Sequence, residues 1–317
     1  MKAIIVNEDK SLSWSEVEES EPRDGEVKID VHCAACNRAD VLQRAGKYPS
    51  PEGWVDRMGL EVSGVVAESR SERFRPGDKV CALLGGGGYS EFVCCPAELV
   101  LPMPEGISFE AASAIPETFA TAQLNLVFEA GIKPGDTVFI AAGASGLGSA
   151  AIQVAKHFGA KVITTVGSDE KAEFVKKLGA DIAVNRKTDD LGKALDENPV
   201  DIALDCAAGS DFGKNFLKMN RGGRWIIVST LAGEESDINL RGVMKKGLRL
   251  IGSTLRSRTN AMKGAVLDSL IREYWSDFSS GRMAPVISRV FRIEEAEKAH
   301  EFLNGDHTGK AVLKIHE

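Results

Sequence analysis

Residues 143–148, Gly-Ala-Ser-Gly-Leu-Gly, have the types and spacing needed to hold an anion on backbone N–H groups. They follow Thr137–Ala142, a short apolar run with β-branched residues that reads as a buried parallel strand. After them comes Ser149–Phe158, where apolar residues recur at helical spacing. Strand, glycine turn and helix is the context in which G-x-G-x-x-G binds a dinucleotide pyrophosphate. The helix start offers unpaired N–H groups and the positive end of its dipole. Ser145 stands where the middle glycine is expected. Serine is the next smallest hydrogen-bonding choice, and its hydroxyl could donate to a phosphate while Gly143 and Gly148 hold the turn. Gly143, Ser145, Gly146, Leu147 and Gly148 are therefore the candidate pyrophosphate residues. The bland alternative is a tight strand–helix turn with no ligand.

An NAD-binding unit of this kind carries Asp or Glu at the end of its second strand, gripping the ribose 2′-OH. Here that strand, Lys161–Val166, runs into Gly167 and Ser168. Lys171 follows one turn into the next helix, and Arg186 follows the third strand. A missing acid with an added cation and hydroxyl suits a 2′-phosphate, hence NADPH. Asp169 and Glu170 keep NADH open, since either could fold back to a ribose. Lys171 and Arg186 also read as ordinary solvated charge.

Other chemistry is sparse. Cys33 and Cys36 form a C-x-x-C, but no second pair of cysteines or nearby His pair completes a zinc site. The six cysteines read as small buried thiols of a reducing, cytoplasmic compartment. The five histidines form no Ser/His/Asp arrangement: His32 falls in a strand, His157 and His300 in helices, His307 and His316 near the C-terminus. A net charge of −7 argues against a general nucleic-acid binder. No apolar run approaches the roughly 20 residues that span a membrane. The opening MKAIIV is too short for a signal peptide and reads as a first strand.

The elements that must position these groups fall into two patterns. Residues 1–100 are β-rich, with strands at Ala3–Val6, Glu26–Val31, Val62–Glu68, Lys79–Leu84 and Tyr89–Cys94 punctuated by turn-formers. This spacing suggests a small barrel-like unit, interrupted by a helix over Asn37–Arg44 that Asn37 can cap. Phe109–Gly131 reads as helix broken near Pro116. From residue 137 to about 253, strand and helix alternate, which means a parallel doubly wound sheet. The tail (helix at Asn260–Phe278, strand at Val286–Phe291, helix at Ile293–Leu303, strand at Ala311–Ile315) leaves that alternation and is expected to fold back onto the first unit.

Asn37–Tyr48 (NRADVLQRAGKY), Gly59-Leu60-Glu61 with Ser63-Gly64, Ala114-Ile115-Pro116-Glu117, the Ala142–Gly148 turn and Leu255–Arg258 together carry a family likeness. Over essentially its whole length the chain resembles the zinc-free quinone oxidoreductases of the medium-chain dehydrogenase/reductase superfamily, in the zeta-crystallin and p53-inducible oxidoreductase branch. The resemblance implies an α/β protein with a GroES-like β-barrel substrate domain plus a Rossmann doubly wound parallel sheet. The substrate domain would take residues 1–118 and 255–317, and the cofactor domain residues 119–254. It implies a homodimer formed through sheet edges and NADPH-dependent reduction of quinones or other electron-poor alkenes. By the same resemblance Asn37, Tyr48 and Thr121 fall where side chains line the nicotinamide and substrate cleft, and Lys171 falls where a lysine meets the 2′-phosphate.

The superfamily's zinc enzymes hold a catalytic zinc through a Cys, the His of a Gly-His-Glu and a third ligand. By the resemblance, Asn37 takes the first of these positions and Leu60 the second, and neither serves zinc. No metal is expected. A quinone needs no Lewis acid, because conjugation stabilises the charge that hydride delivers. The site then has only to align the reactants and offer donors, for which Asn37 and Tyr48 are the choices, and no side chain is expected to be an indispensable acid or base. Two alternatives stand beside this: an NADPH-dependent reductase of alkenals, enones or enoyl thioesters, and a non-catalytic NADPH-binding protein of crystallin-like or RNA-binding use.

Overall fold

The computed structural model describes residues 1–316. The chain divides into two compact units, residues 1–120 with 256–317, and residues 121–255.

The first unit opens with an antiparallel pair, β1 (Lys2–Val6) and β2 (Leu12–Glu16). Its centre is β3 (Glu26–Ala35), followed by helix α1 (Arg38–Arg44), β4 (Glu61–Ser69), β5 (Lys79–Leu83), β6 (Phe92–Pro96) and β7 (Val100–Pro102). Two register irregularities against β4 bend β3. Its first half therefore pairs with β6, and its last residues pair with a strand from the C-terminal tail. Val27, Ile29 and Val31 are fully buried at alternate positions, as one face of a strand requires. Helix α2 (Phe109–Ser113) ends ahead of Pro116, and α3 (Pro116–Gln123) starts on that proline, where a missing N–H costs nothing. A wider, π-helical turn over Leu124–Glu129 extends it.

The second unit alternates β8 (Thr137–Ile140), α4 (Gly146–His157), β9 (Lys161–Val166), α5 (Asp169–Lys177), β10 (Ile182–Asn185), α6 (Leu191–Glu197), β11 (Ile202–Asp205), α7 (Phe212–Phe216), β12 (Arg224–Ile227), α8 (Leu240–Lys246) and β13 (Arg249–Gly252). All its strand pairs are parallel, in the order β10-β9-β8-β11-β12-β13. The order reverses at β8, and the carboxyl ends of strands at such a point form the binding crevice of open α/β sheets. Phe139, Phe212, Phe216 and Trp225 pack together in its core.

The tail supplies α9 (Asn260–Ser280), β14 (Ile287–Arg292), α10 (Ala296–Asn304) and β15 (Lys310–Lys314). β15 lies antiparallel to β3, and Phe291, Ile293, Leu303 and Leu313 join the core of the first unit. The return to that unit is thus an addition of strands to its sheet. No described helix is long and apolar enough to cross a membrane.

Candidate active site

Asn37 leaves β3 with extended backbone and is the N-cap residue of α1. Its N–H donates to the Asp40 carboxylate at 2.8 Å, so the first turn is closed by the acid rather than by the asparagine side chain. That side chain points elsewhere. Nδ2 donates to Glu61 at 3.0 Å and to the Ala35 carbonyl at 3.3 Å, while Oδ1 accepts from the Lys310 ammonium at 2.7 Å. Lys310 also pairs with Glu61, and both are buried, at 3 % and 0 % side-chain exposure. The other Glu61 oxygen accepts the Glu117 N–H at the start of α3, at 2.8 Å. A buried ion pair is tolerated only when its remaining hydrogen-bonding capacity is filled, and Asn37 and the α3 N–H fill it here.

Asp40 is fully buried and accepts from Asn37 N–H, Gly59 N–H (2.9 Å) and the Tyr89 hydroxyl (3.2 Å). Burial outweighs these bonds and pushes its carboxyl up to about 6. Burial and the nearby Glu61 charge push the Glu117 carboxyl up to about 7. Leu60 is a core residue at 1 % exposure. Among the described residues no group of three His, Cys, Asp or Glu side chains is placed to hold a metal ion.

Tyr48 lies in the loop after α1, half-buried, with the Arg256 guanidinium 4.8 Å from its ring centroid. Arg256 donates to the Tyr48 carbonyl at 3.0 Å and also to Gly85 O, Gln43 Oε1 and Ser50 Oγ, which pins the loop. The Tyr48 hydroxyl makes no hydrogen bond with any described residue. Burial raises its pKa, so at neutral pH it is a donor. Asn37 has thus committed both amide hydrogens, and Tyr48 has kept its hydroxyl.

In the second unit the glycine turn is built by packing. A Cβ on Gly143 would lie 2.1 Å from Thr164 Oγ1, and one on Gly148 would lie 2.3 Å from the Ala142 carbonyl, so neither position accepts a side chain. Ala142 adopts a left-handed φ of 54°, a strained conformation of the sort held at ligand-binding turns. Ser145 is the N-cap of α4: its Oγ accepts the Gly148 N–H at 3.0 Å. The helix therefore starts at Gly146, three residues before its apolar periodicity begins. Accepting that bond leaves the Ser145 O–H available as a donor. Gly146 and Leu147 follow at partial exposure.

At the end of β9 the Arg186 guanidinium lies by Gly167, and the backbone of Lys171 meets Ser168. Ser168 caps α5 by accepting the Lys171 N–H at 3.3 Å. The Arg186 guanidinium lies over Gly167, 3.5 Å from where a Cβ would be. Asp169 accepts from Asn185 Nδ2 at 2.8 Å, which turns it toward β10. Thr121 is half-buried on α3, its carbonyl taken by Asn125 Nδ2 at 2.7 Å.

Sequence reasoning passed over Lys310, Lys263, Asp40 and Arg256. The lysines announce themselves only weakly: Lys310 heads an apolar strand and Lys263 sits among Ala261, Met262 and Ala265 in the first turn of a helix. Both are buried, which composition does not predict for lysine.

A GroES-like unit with a six-stranded parallel dinucleotide sheet is the architecture of medium-chain dehydrogenases/reductases. Residues 23–105 match the alcohol dehydrogenase GroES-like domain, and residues 146–271 match the zinc-binding dehydrogenase domain. A quinone oxidoreductase of Sus scrofa is 31 % identical over 304 residues, covering 93 % of this chain and 90 % of that protein. Among solved structures, a quinone oxidoreductase from Thermus thermophilus, determined also as its complex with NADPH, is similar with a TM-score of 0.84 and 30 % identity over 99 % of this chain and 100 % of that one. An NAD-dependent alcohol dehydrogenase is similar at 0.86 and 30 %, with both chains fully covered. The chain belongs to the quinone oxidoreductase family of the medium-chain dehydrogenase/reductase superfamily.

Proposed function

We propose that this protein is a zinc-independent oxidoreductase that passes hydride from NADPH to quinones or similar electron-poor acceptors. The carrying observation is the Asn37 amide, tied to Lys310 and Glu61 at a position where metal-using members of the superfamily hold a ligand. An amide so engaged and a buried Leu60 offer no ligand field. An isolated carbonyl would lack the polarisation a Lewis acid gives, so the acceptors that fit are those whose conjugation spreads the added charge.

The residues present suit a dinucleotide. The turn at 143–148 presents N–H groups and the Ser145 hydroxyl to a pyrophosphate, and Gly167, Ser168, Lys171 and Arg186 suit the 2′-phosphate end. Thr121 would flank the nicotinamide. The bound cofactor supplies the hydride. Tyr48 donates to the acceptor, and Asn37 shapes the floor beneath it. Alignment of the two reactants supplies much of the rate.

A homodimer is part of the same reading. β13 is an edge strand of its sheet, Leu250 on it is exposed, and Leu240 and Met244 on α8 are 76 % and 73 % exposed. Apolar groups gathered at an edge favour pairing with a second copy. All six cysteines are free thiols, which supports the cytoplasm. The test is NADPH oxidation against a panel of quinones and enones, with zinc content and particle mass measured on the same sample. Activity that disappears with a chelator and returns with zinc alone would overturn the reading.

A further inference from the structure

Lys263 lies in the first turn of α9 and is 3 % exposed, yet its ammonium makes no hydrogen bond or ion pair with any described residue. Nor is Nζ closed off, unlike the orphaned atoms His300 Nδ1 and Ser253 Oγ. The charged groups that face it are the Glu117 carboxyl from α3 and the Arg256 guanidinium from the segment before α9. Arg256 is committed to four acceptors. Glu117, which keeps part of its surface accessible, also faces the Tyr48 phenol. Two uncommitted donors, the Tyr48 hydroxyl and the Lys263 ammonium, therefore both feel the Glu117 charge, and Arg256, seven residues before Lys263, lies against the Tyr48 ring. A cation held at 3 % exposure with no carboxylate bonded to it is poorly compensated. Such a placement has a use where negative charge appears only during a reaction, because a donor already held in position, its nitrogen open to an incoming group, need reorganise little then.

We propose that Lys263 is a catalytic residue, its ammonium set against the acceptor oxygen on which negative charge develops. The proposal rests on the hydride-transfer function above. The acceptor takes hydride, two electrons and a hydrogen nucleus, from the cofactor, which is oxidised by the same two electrons. A new C–H or O–H bond forms, a carbonyl π bond of the acceptor breaks, and its electron pair ends on the oxygen beside Lys263. That oxygen is protonated later by water. A structural Lys263–Glu117 pair would instead show an ion pair, and none is formed.

The test uses Lys263→Met, with Lys263→Gln in reserve should that variant fold poorly, and Lys263→Arg as the conservative control. Kinetics are run on an enone, a simple benzoquinone and a strongly electron-poor quinone, and 4-nitrophenolate binding is followed by its absorbance shift. Loss of one such donor typically lowers kcat by about 10²-fold. That loss is expected for the enone, with a smaller one for the electron-poor quinone, whose charge is already spread. The KM for NADPH should hold, nitrophenolate binding should weaken about ten-fold or more, and arginine should restore part of both. Unchanged kcat and phenolate binding would overturn the proposal. So would an equal loss on every acceptor with a lowered Tm and no rescue by arginine. Should the wild type reduce none of the panel, the hydride-transfer function fails, and the phenolate titration still decides whether Lys263 binds an anionic oxygen.

Discussion

The Lys310 ammonium donates to Oδ1 of Asn37 at 2.7 Å while pairing with Glu61, which makes Asn37 one side of a buried polar triangle. Its amide is oriented by charge on both ends. Asn37→Ala should lower kcat by roughly ten-fold or less, below the usual contribution of an acid or base, because the residue supports the site more than it donates to substrate. Lys310→Met is expected to do more harm to the fold. It leaves Glu61 buried without its cation, and breaking a buried pair from one side costs about 3–5 kcal/mol. Urea denaturation of the variants distinguishes the two roles, and a Lys310→Met protein as stable as wild type would contradict this account.

Cofactor choice is expected to follow Lys171. It is the third residue of α5, its N–H on the Ser168 cap, with Arg186 lying over Gly167 on the adjoining strand end. Of the two acids that could have served a ribose hydroxyl, Asp169 and Glu170, the first is held by Asn185. A charge-assisted contact contributes roughly 1.5–3 kcal/mol, so Lys171→Ala should weaken NADPH about ten-fold or more and leave NADH nearly unchanged. Fluorescence titration with both cofactors measures this. Equal weakening of the two would show that Lys171 does not meet the phosphate.

Ser145 has a structural part that the sequence did not suggest. Its Oγ caps α4, so Ser145→Val should raise the KM for NADPH strongly and also lower stability by about 1 kcal/mol, the worth of a lost cap. Ser145→Gly separates the effects, since glycine costs a cap only a few tenths of a kcal/mol. If the glycine variant binds NADPH as well as wild type, the hydroxyl gives nothing to the pyrophosphate and only the small size of the residue matters.

Stability should fall as pH rises through the range set by Glu117. Its carboxyl is pushed from 4.5 up to about 7 by burial and by Glu61. Below pH 4.5 both folded and unfolded chains hold the proton. Between there and about 7 the folded chain holds a proton that the unfolded chain releases, so rising pH favours unfolding. Glu117→Gln removes its own share of this dependence, while Asp40, raised to about 6, keeps its share in both proteins. Relative to the variant, wild type should lose at least ~1.4 kcal/mol, one pKa unit's worth, between pH 4.5 and 7.5. Parallel urea midpoints for the two proteins across that range would count against a buried, neutral Glu117.

The alternation of β8 to β13 with helices was plain because buried parallel strands are short apolar runs between turn-formers. The tail's return was visible as a break in that alternation. Helices α6 and α8 were not visible. Each has seven residues, shorter than the roughly 11–18 over which helical periodicity is read; α8 buries none of its residues and α6 only Leu195. β2 escaped because its residues are only partly buried. At the site, the glycine turn and the position of Asn37 were legible as local patterns. The Lys310–Asn37 contact joins residues 273 apart, and the Lys263 ammonium gains its meaning from Glu117 on another helix. Such relations are set by the strand order around β3, which no local pattern records.

The Tyr48 hydroxyl makes no hydrogen bond with any described residue, and its loss tests how the chemistry is done. Tyr48→Phe keeps the ring beneath Arg256 and removes only the O–H. Burial raises the phenol's pKa, which makes it a weaker acid than free tyrosine and ill-suited to deliver a proton near neutrality. Aligned reactants already gain many kcal/mol from proximity, and the oxyanion of a reduced quinone can take its proton from water. Tyr48→Phe should therefore lower kcat by roughly ten-fold or less, well under the 10²–10⁴-fold of a positioned acid. Most of its effect should appear in the acceptor's KM, as expected for a group that binds ground state and transition state alike. The loss should also be smaller than that of Lys263→Met with an enone. A Tyr48→Phe protein that binds NADPH and quinone normally but has lost a thousand-fold in kcat would make Tyr48 the proton donor and displace water from that part.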